Sequence, residues 1–168
     1  MSATDRPQVR TGPEIGVDTP EQMREFGVRL AARLRPGDLV LLTGDLGAGK
    51  TTLAAGIGQG LGVRGRLTSP TFVIAREHPA VRLDGVPIVH VDAYRLGGMS
   101  ELEDLDLEAS LSEAVTLVEW GHGLAEGLAE DRLELLIERS DEAADERRRV
   151  RLVAVGERWE DLDLAVES

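Results

Sequence analysis

The amino-terminal part of the chain contains apolar patterns of two kinds, which predict a helix, a buried strand and a second helix. Apolar residues recur at helical spacing over residues 19–35, after a start in which Thr19 is placed to cap the helix and a proline follows it. Residues 39–43 are almost all apolar without alternation, as is typical of a strand buried on both faces. Lys50 opens the second helix, whose apolar stripe ends at Gly62.

The later apolar stretches predict further strands, joined by polar turns and helices. One helix is predicted over residues 100–111, where leucines recur at helical spacing. The strands are predicted over residues 71–75, 86–91, 114–118, 133–137 and 150–155. The first two are candidates for a hairpin, because a polar turn region separates them. The charged segment 140–149 is predicted to be a solvated loop or the tip of a hairpin.

The two ends of the chain differ in composition, and this difference predicts the domain organisation. Residues 1–13 are polar, contain two prolines and show no period, so we predict a disordered amino-terminal arm. Residues 14–168 are predicted to form a single domain, because a chain of 168 residues with 42% apolar content can bury a core of ordinary size.

Charge and hydropathy narrow the range of partners and compartments. The chain has no cysteine, no apolar stretch of the roughly 18 residues that span a membrane, and no apolar secretory signal at its start. We therefore expect a cytoplasmic protein without a membrane partner. The net charge of −12 repels phosphate backbones, so we expect contact with RNA only indirectly, through a partner.

The only lysine of the chain, Lys50, lies in a complete G-x-x-x-x-G-K-S/T pattern between the predicted strand and helix. Glycines in such a loop let the backbone adopt positive φ, and successive N–H groups then form a nest for phosphate at the helix start. The Lys50 ammonium would reach the β- and γ-phosphates, the Thr51 hydroxyl would bind Mg²⁺, and Thr52 would face the α-phosphate. The pattern predicts ATP or GTP as ligand. The candidate binding residues are Gly44, Asp45, Leu46, Gly47, Ala48, Gly49, Lys50, Thr51 and Thr52.

Two other predicted strands end in an acid, Asp92 and Glu119. Ligands of open parallel sheets bind beyond the carboxyl ends of the strands, so both acids would converge on the phosphate loop if their strands neighbour the first. Only one of them is needed to hold the metal. His90 lies two residues before Asp92, and either orients the Asp92 carboxylate or is a structural histidine.

Five motifs in order along the chain carry a family resemblance. After the phosphate loop come Ser69-Pro70-Thr71-Phe72, His90-Val91-Asp92-Ala93-Tyr94-Arg95-Leu96, Glu101-Leu102-Glu103 and Glu119-Trp120. This set resembles the motifs of the bacterial TsaE ATPases. The resemblance implies an ATPase that works with the TsaB and TsaD proteins in making threonylcarbamoyladenosine at position 37 of tRNA, where TsaD carries out the transfer and ATP hydrolysis resets the complex. The elements and the resemblance together predict an α/β, P-loop NTPase-like three-layer fold with a mainly parallel central sheet and added antiparallel strands.

The resemblance also implies roles for individual residues. Lys50 and Thr51 match the phosphate and Mg²⁺ positions, Glu119 matches the acid associated with the metal, and Asp92 matches the catalytic or water-ordering acid. Thr71 falls in a segment that resembles a switch loop sensing the γ-phosphate. Thr19 begins the segment that helps to enclose adenine in the family. The roles of Trp120, Tyr94 and Arg95 stay open.

Three other classes of protein are alternatives to this interpretation. A regulatory GTPase reads guanine through an N-K-x-D motif, which a chain without asparagine cannot contain. A small-molecule kinase stays open, since phosphate loops also serve kinases, and Arg64, Arg66 or Arg132 would then line an acceptor pocket or lid. A nucleotide-dependent interaction module with incidental turnover is the third alternative.

Overall fold

The structure is a computed structural model that describes residues 8–45, 47–65, 75–92, 111–119, 129–142 and 144–166. Its helices are α1 (Pro20–Ala31) and α2 (Lys50–Leu61). Its strands are β1 (Val9–Thr11), β2 (Ile15–Val17), β3 (Leu39–Thr43), β4 (Ala75–His78), β5 (Ile88–Asp92), β6 (Val115–Glu119), β7 (Arg132–Arg139) and β8 (Arg148–Val155). A 3-10 turn follows at Glu157–Trp159.

The strands of the described residues form one mixed sheet in the order β1-β8-β7-β3-β6-β5-β4, and β2 also pairs with β8. The four central strands β7, β3, β6 and β5 are parallel to one another. The flanking strands are antiparallel to their neighbours, and two of these pairings are the β4–β5 and β7–β8 hairpins. The predicted α/β class, the mainly parallel centre and the added antiparallel strands are confirmed.

Helix α1 begins where its sequence predicts. The Thr19 hydroxyl accepts a hydrogen bond from the Gln22 N–H at 3.2 Å, and the Gln22 side chain accepts one from the Asp18 N–H at 2.8 Å. This reciprocal capping satisfies N–H groups that a helix start leaves unpaired. The helix ends at Ala31, earlier than predicted, although Leu34 is still buried. The apolar periodicity of the sequence therefore continues past the helix into a turn. The Asp38 carboxylate stabilises this turn by accepting a hydrogen bond from the Arg35 N–H at 2.8 Å.

The core lies between the two helices and one face of the sheet. Phe26 and Leu30 of α1 and Leu53 and Ile57 of α2 are fully buried in one cluster with alternate residues of the central strands. Residues on the opposite face of β3, β5 and β6 are buried as well, among them Leu39, Leu41, Val91 and Val118. Strands β3, β5 and β6 are thus buried on both faces, and for β3 the unbroken apolar sequence predicted this. The predicted helix at 100–111, apart from Leu111, and the predicted strand residues 71–74 lie outside the described residues.

The amino-terminal arm differs from its prediction. Residues 9–11, which were expected to be disordered, form β1 and pair antiparallel with β8, where Val9 lies opposite Val155. Arg10 fixes the strand further, because its guanidinium donates to the Trp159 carbonyl oxygen at 2.8 Å. The pairing partner is distant in sequence and the strand is short, so a local period cannot reveal it. The organisation of residues 14–168 as a single domain stays a prediction.

None of the helices in the described ranges combines the length and the apolar character needed to cross a membrane.

Candidate functional site

The phosphate loop connects β3 to α2 at the carboxyl end of the central strands. Gly49 caps α2 with φ of 112°, and no side chain accepts a hydrogen bond from the helix start there. The cap residue Gly49 has no side chain and so cannot supply the side-chain acceptor that most helix starts receive from their cap. A phosphate oxygen is the kind of group that binds at such a position.

The three loop glycines serve two different purposes. Gly47 and Gly49 have φ of 80° and 112°, a conformation that side chains disfavour. Gly44, which was predicted to share this conformation, does not have positive φ. It is required for close packing instead, because a Cβ at Gly44 would lie 2.5 Å from the Ile137 carbonyl oxygen of β7. Glycine at position 44 thus lets the loop leave β3 directly against the neighbouring strand.

Lys50 is the first residue of α2, and only 5% of its surface is exposed. Its ammonium donates to the carbonyl oxygens of Gly44 at 2.6 Å and Asp45 at 3.0 Å. Burial lowers the pKa of this ammonium from its ordinary value, and the negative charge of Glu119 is the strongest influence that opposes the shift. Asp45 and Asp92 also act to raise the pKa of Lys50. The lysine is therefore held against the loop, within the electrostatic reach of both predicted acids.

Asp92 and Glu119 are brought together as predicted. Glu119 ends β6 opposite Leu42 of β3, and Asp92 ends β5 opposite Glu119. Both side chains belong to largely buried residues, with 8% of Asp92 and 3% of Glu119 exposed. The two acids consequently lie at one edge of the sheet, with Glu119 on the strand next to the one that leads into the phosphate loop.

The partner of His90 is Glu119. The His90 Nε2 and Glu119 Oε2 atoms are 2.7 Å apart, and 1% and 4% of the two side chains are exposed. The sequence had suggested Asp92 as the carboxylate that His90 would orient, because both lie on one face of the same strand. The parallel register of β5 and β6 instead brings the imidazole to the acid of the neighbouring strand.

A cavity of about 240 Å³ lies beside the loop, at the start of α1. Thr19, Pro20 and Met23 form one side of it, and the loop with Thr52 forms another. Its lining is thus partly apolar and partly polar, as a purine and a ribose require. The structure places Thr19 in this cavity beside the phosphate loop, and its role in enclosing adenine stays a prediction.

Residues of the β7–β8 hairpin complete the cavity, and sequence reasoning missed them. Glu146 and Arg148 line it, and the Arg148 guanidinium donates to the Gly47 carbonyl oxygen at 3.3 Å. Arg139 lies opposite Arg148 in the hairpin, and its Nη1 atom would be 3.3 Å from a Cβ at Gly47. Of the two alternatives predicted for residues 140–149, a solvated loop or a hairpin tip, the structure has the hairpin tip, except that Arg148 and Arg149 already belong to β8. That the tip reaches the phosphate loop follows from the pairing of β7 with β3, which no local pattern encodes.

The donor groups at this edge suit Mg²⁺ shared with a bound triphosphate. Mg²⁺ prefers oxygen ligands, and in triphosphate sites one or two protein oxygens suffice because phosphates and water supply the rest. The Thr51 hydroxyl on α2 and the Glu119 carboxylate are oxygen donors of this kind. Within the described parts of the chain, no group of three or more His, Cys, Asp or Glu side chains is placed to hold a metal ion. The residues fit a shared ion better than a metal cage made by protein alone.

Some predicted residues lie outside the described residues. They are Leu46 of the phosphate loop, Thr71 of the switch-like segment, and Trp120, Tyr94 and Arg95. The roles of Leu46 and Thr71 therefore stay predictions, and the roles of Trp120, Tyr94 and Arg95 stay open.

Comparisons with known proteins agree in pointing to one family. A family model described as "Threonylcarbamoyl adenosine biosynthesis protein TsaE" matches residues 17–150. A Streptomyces coelicolor protein named tRNA threonylcarbamoyladenosine biosynthesis protein TsaE is 62% identical over 146 residues, which cover 86% of this chain and 98% of the relative. A Bacillus subtilis protein of the same name is 42% identical over 143 residues, covering 84% and 85%. The crystal structure of Bacillus subtilis YdiB superposes with a TM-score of 0.68 at 35% identity, covering 91% of each chain.

Proposed function

Because the chain belongs to the TsaE family, we propose that it binds and hydrolyses ATP in the biosynthesis of threonylcarbamoyladenosine in tRNA, acting with TsaB and TsaD. The observation that carries the proposal is the convergence of Lys50, Asp92 and Glu119 at one phosphate loop. This is the set of charges that phosphoryl transfer from a nucleoside triphosphate requires.

Each group has a separate task in the proposed hydrolysis. The Lys50 ammonium and the N–H groups at the start of α2 bind the phosphates and stabilise charge that develops on them. Thr51 and Glu119 would hold Mg²⁺, which would help to neutralise the negative charge of the phosphates. Asp92 orients the attacking water. Adenine and ribose occupy the cavity formed by the start of α1 and the β7–β8 hairpin.

We propose that ATP hydrolysis by this chain is coupled to its protein partners TsaB and TsaD. The chain itself then needs no direct contact with RNA. The net charge of −12 opposes direct binding of a polyanion, so a protein partner is the more favourable way to reach tRNA. Hydrolysis would then change the state of a loop near the γ-phosphate and reset the complex after each transfer. The switch-like segment containing Thr71 is our candidate for that loop.

The alternative of a small-molecule kinase finds less support at the site. Arg132, one of the arginines considered for an acceptor pocket, begins β7 and forms an ion pair with Glu134 at 3.3 Å. Because β7 is parallel to β3 and pairs Leu133 with Val40, Arg132 lies at the end of the sheet away from the phosphate loop. Arg132 is therefore not positioned to bind a phosphate acceptor.

Hydrolysis measurements with matched variants test the proposal. ATP turnover is measured for the purified protein alone and with TsaB and TsaD, for wild type, Lys50→Ala and Arg132→Ala. We expect stimulation by the partners, a loss of ATP affinity of about 100-fold in Lys50→Ala, and wild-type behaviour in Arg132→Ala. Transfer of the γ-phosphate to a metabolite would support a kinase instead. Cells depleted of the protein should lose threonylcarbamoyladenosine from their tRNA, and unchanged tRNA would contradict the proposed role.

A further inference from the structure

The contact between His90 and Glu119 has the geometry of a carboxylate held in one orientation. The two side chains come from neighbouring parallel strands, and their 2.7 Å contact is almost completely shielded from solvent. A carboxylate in its ionised form only accepts hydrogen bonds, so Nε2 of His90 is the donor. The bond occupies Oε2 of Glu119 and fixes the plane of the carboxylate at the end of β6.

The two ring nitrogens of His90 differ in their hydrogen-bond partners. The Nδ1 atom of His90 is buried and has no hydrogen-bond partner within the described part of the chain. Among the described residues, the structure therefore gives the imidazole one hydrogen-bond contact, between Nε2 and Glu119.

The pair is not needed to hold the sheet together. Strands β5 and β6 are already joined by a parallel backbone ladder from Ile88 and Val115 to Asp92 and Glu119. Burying a histidine and an acid costs free energy that an apolar pair of similar volume would not, so packing alone favours leucine at these positions. A polar pair at this place is explained better by what it does for the carboxylate.

We propose that His90 is a positioning residue that orients Glu119 for Mg²⁺. Residues behind a metal ligand fix its rotamer, and their removal typically weakens metal affinity by about 10- to 100-fold. The inference rests on the proposed function, since it takes Glu119 as the acid that holds Mg²⁺ with a bound triphosphate. It adds a role for the histidine of the His90-Val91-Asp92 segment that differs from orienting Asp92.

Two substitutions of His90, by glutamine and by asparagine, place a side-chain amide at different distances from the backbone. Comparing them distinguishes a positioning role from simple packing. The amide of glutamine reaches the place of Nε2, whereas the amide of asparagine reaches only the place of Nδ1. Binding of a non-hydrolysable ATP analogue is measured by calorimetry as Mg²⁺ is titrated, and thermal unfolding is followed for each variant. We expect His90→Asn and His90→Leu to raise the Mg²⁺ concentration for half-maximal binding by about 10-fold, and His90→Gln to stay within about 3-fold of wild type.

His78 provides the matched control. It is a second buried histidine, on the neighbouring strand β4, and its register partner is Ile88. His78→Leu should change thermal stability without changing the Mg²⁺ requirement. If His90→Leu does not fold, the comparison of His90→Gln with His90→Asn still decides the matter.

The outcomes separate this inference from the proposed function. If wild type binds the analogue with Mg²⁺ and all His90 variants share its Mg²⁺ requirement, the positioning role is wrong while the ATPase proposal stands. If wild type shows no Mg²⁺-dependent binding, the proposed function itself fails. Equal weakening in His90→Gln and His90→Asn would also overturn the inference, because only the first keeps a donor at the place of Nε2.

Discussion

At the residue scale, two acids in equivalent register positions have different surroundings. Glu119 is next to β3 and bonded to His90, whereas Asp92 is one strand further from the phosphate loop. An acid on the adjacent strand with a fixed orientation suits a metal ligand. The role proposed for the acid one strand further away is to orient the attacking water. Substitutions that neutralise the two residues should therefore have different effects on ATP binding and ATP hydrolysis.

We expect Asp92→Asn to lower the rate of ATP hydrolysis by about 100-fold and to change the affinity for ATP by less than about 3-fold, because a water-orienting acid acts mainly in the transition state. Glu119→Gln should weaken Mg²⁺-dependent ATP binding by about 10-fold or more. Single-turnover hydrolysis and calorimetry with and without Mg²⁺ measure the two effects. Equal loss of binding in both variants would undo the division of roles.

At the scale of elements, the position of α1 against α2 depends on glycines that allow the helix backbones to approach. A Cβ at Gly27 of α1 would lie 2.6 Å from the Leu53 carbonyl oxygen, and a Cβ at Gly56 of α2 would collide with the Arg24 carbonyl oxygen. The same pair of helices carries Thr19 at one start and Lys50 at the other. The candidate nucleotide cavity is thus lined by the starts of two closely packed helices.

Gly56→Ala is expected to destabilise the fold, although alanine normally favours a helix by about 1 kcal/mol over glycine. Overpacking a tight contact costs about 1–3 kcal/mol, and here the obstacle is backbone that cannot rotate away. The measurement is the free energy of unfolding in urea. Gly16→Ala is the control, since a Cβ at Gly16 has no neighbour within 4 Å. A Gly56→Ala protein as stable as wild type would show that the helices separate easily.

At the scale of the whole molecule, β3 connects the phosphate loop with an ion pair at its other end. Asp38 directly precedes β3 and is 4% exposed. Its carboxylate accepts two hydrogen bonds from the Arg158 guanidinium, both at 2.9 Å. Arg158 also donates to the Arg33 carbonyl oxygen at 2.8 Å, and its guanidinium lies 4.2 Å from the Trp159 ring centre. The carboxyl-terminal segment is thereby attached to the start of the central strand.

Arg158→Ala should lower the free energy of unfolding by about 3 kcal/mol, because it leaves the Asp38 carboxylate buried without its counter-charge. ATP affinity of the protein that remains folded should stay at the wild-type value, since the pair lies at the opposite end of β3 from Lys50. Chemical denaturation and calorimetry measure the two quantities. The neighbouring residue Glu157 is exposed and supplies a control. Glu157→Ala should change the free energy of unfolding by no more than about 0.5 kcal/mol. A weakened ATP affinity in Arg158→Ala would contradict this prediction, because the ion pair at the start of β3 would then influence the phosphate loop at its end.

The sequence by itself determined the features that depend on local geometry. Thr19 and Gln22 specify the start of α1, the unbroken apolar run specifies β3, and the spacing from Gly44 to Thr51 specifies the phosphate loop at the start of α2. These signals are readable because capping, burial on both faces and positive φ are properties of a few consecutive residues. The sequence also identified Asp92 and Glu119, since each ends an apolar run.

Only the tertiary structure decided which distant residues share the site. Strand order placed Glu119 beside β3, brought His90 to Glu119 instead of Asp92, and carried Arg148 of the β7–β8 hairpin to Gly47. The tertiary structure also includes Val9–Thr11 in the sheet, as strand β1 paired with β8. Pairing between strands depends on hydrogen bonds and packing across large separations in sequence, and the local period of a strand is the same whichever neighbour it has.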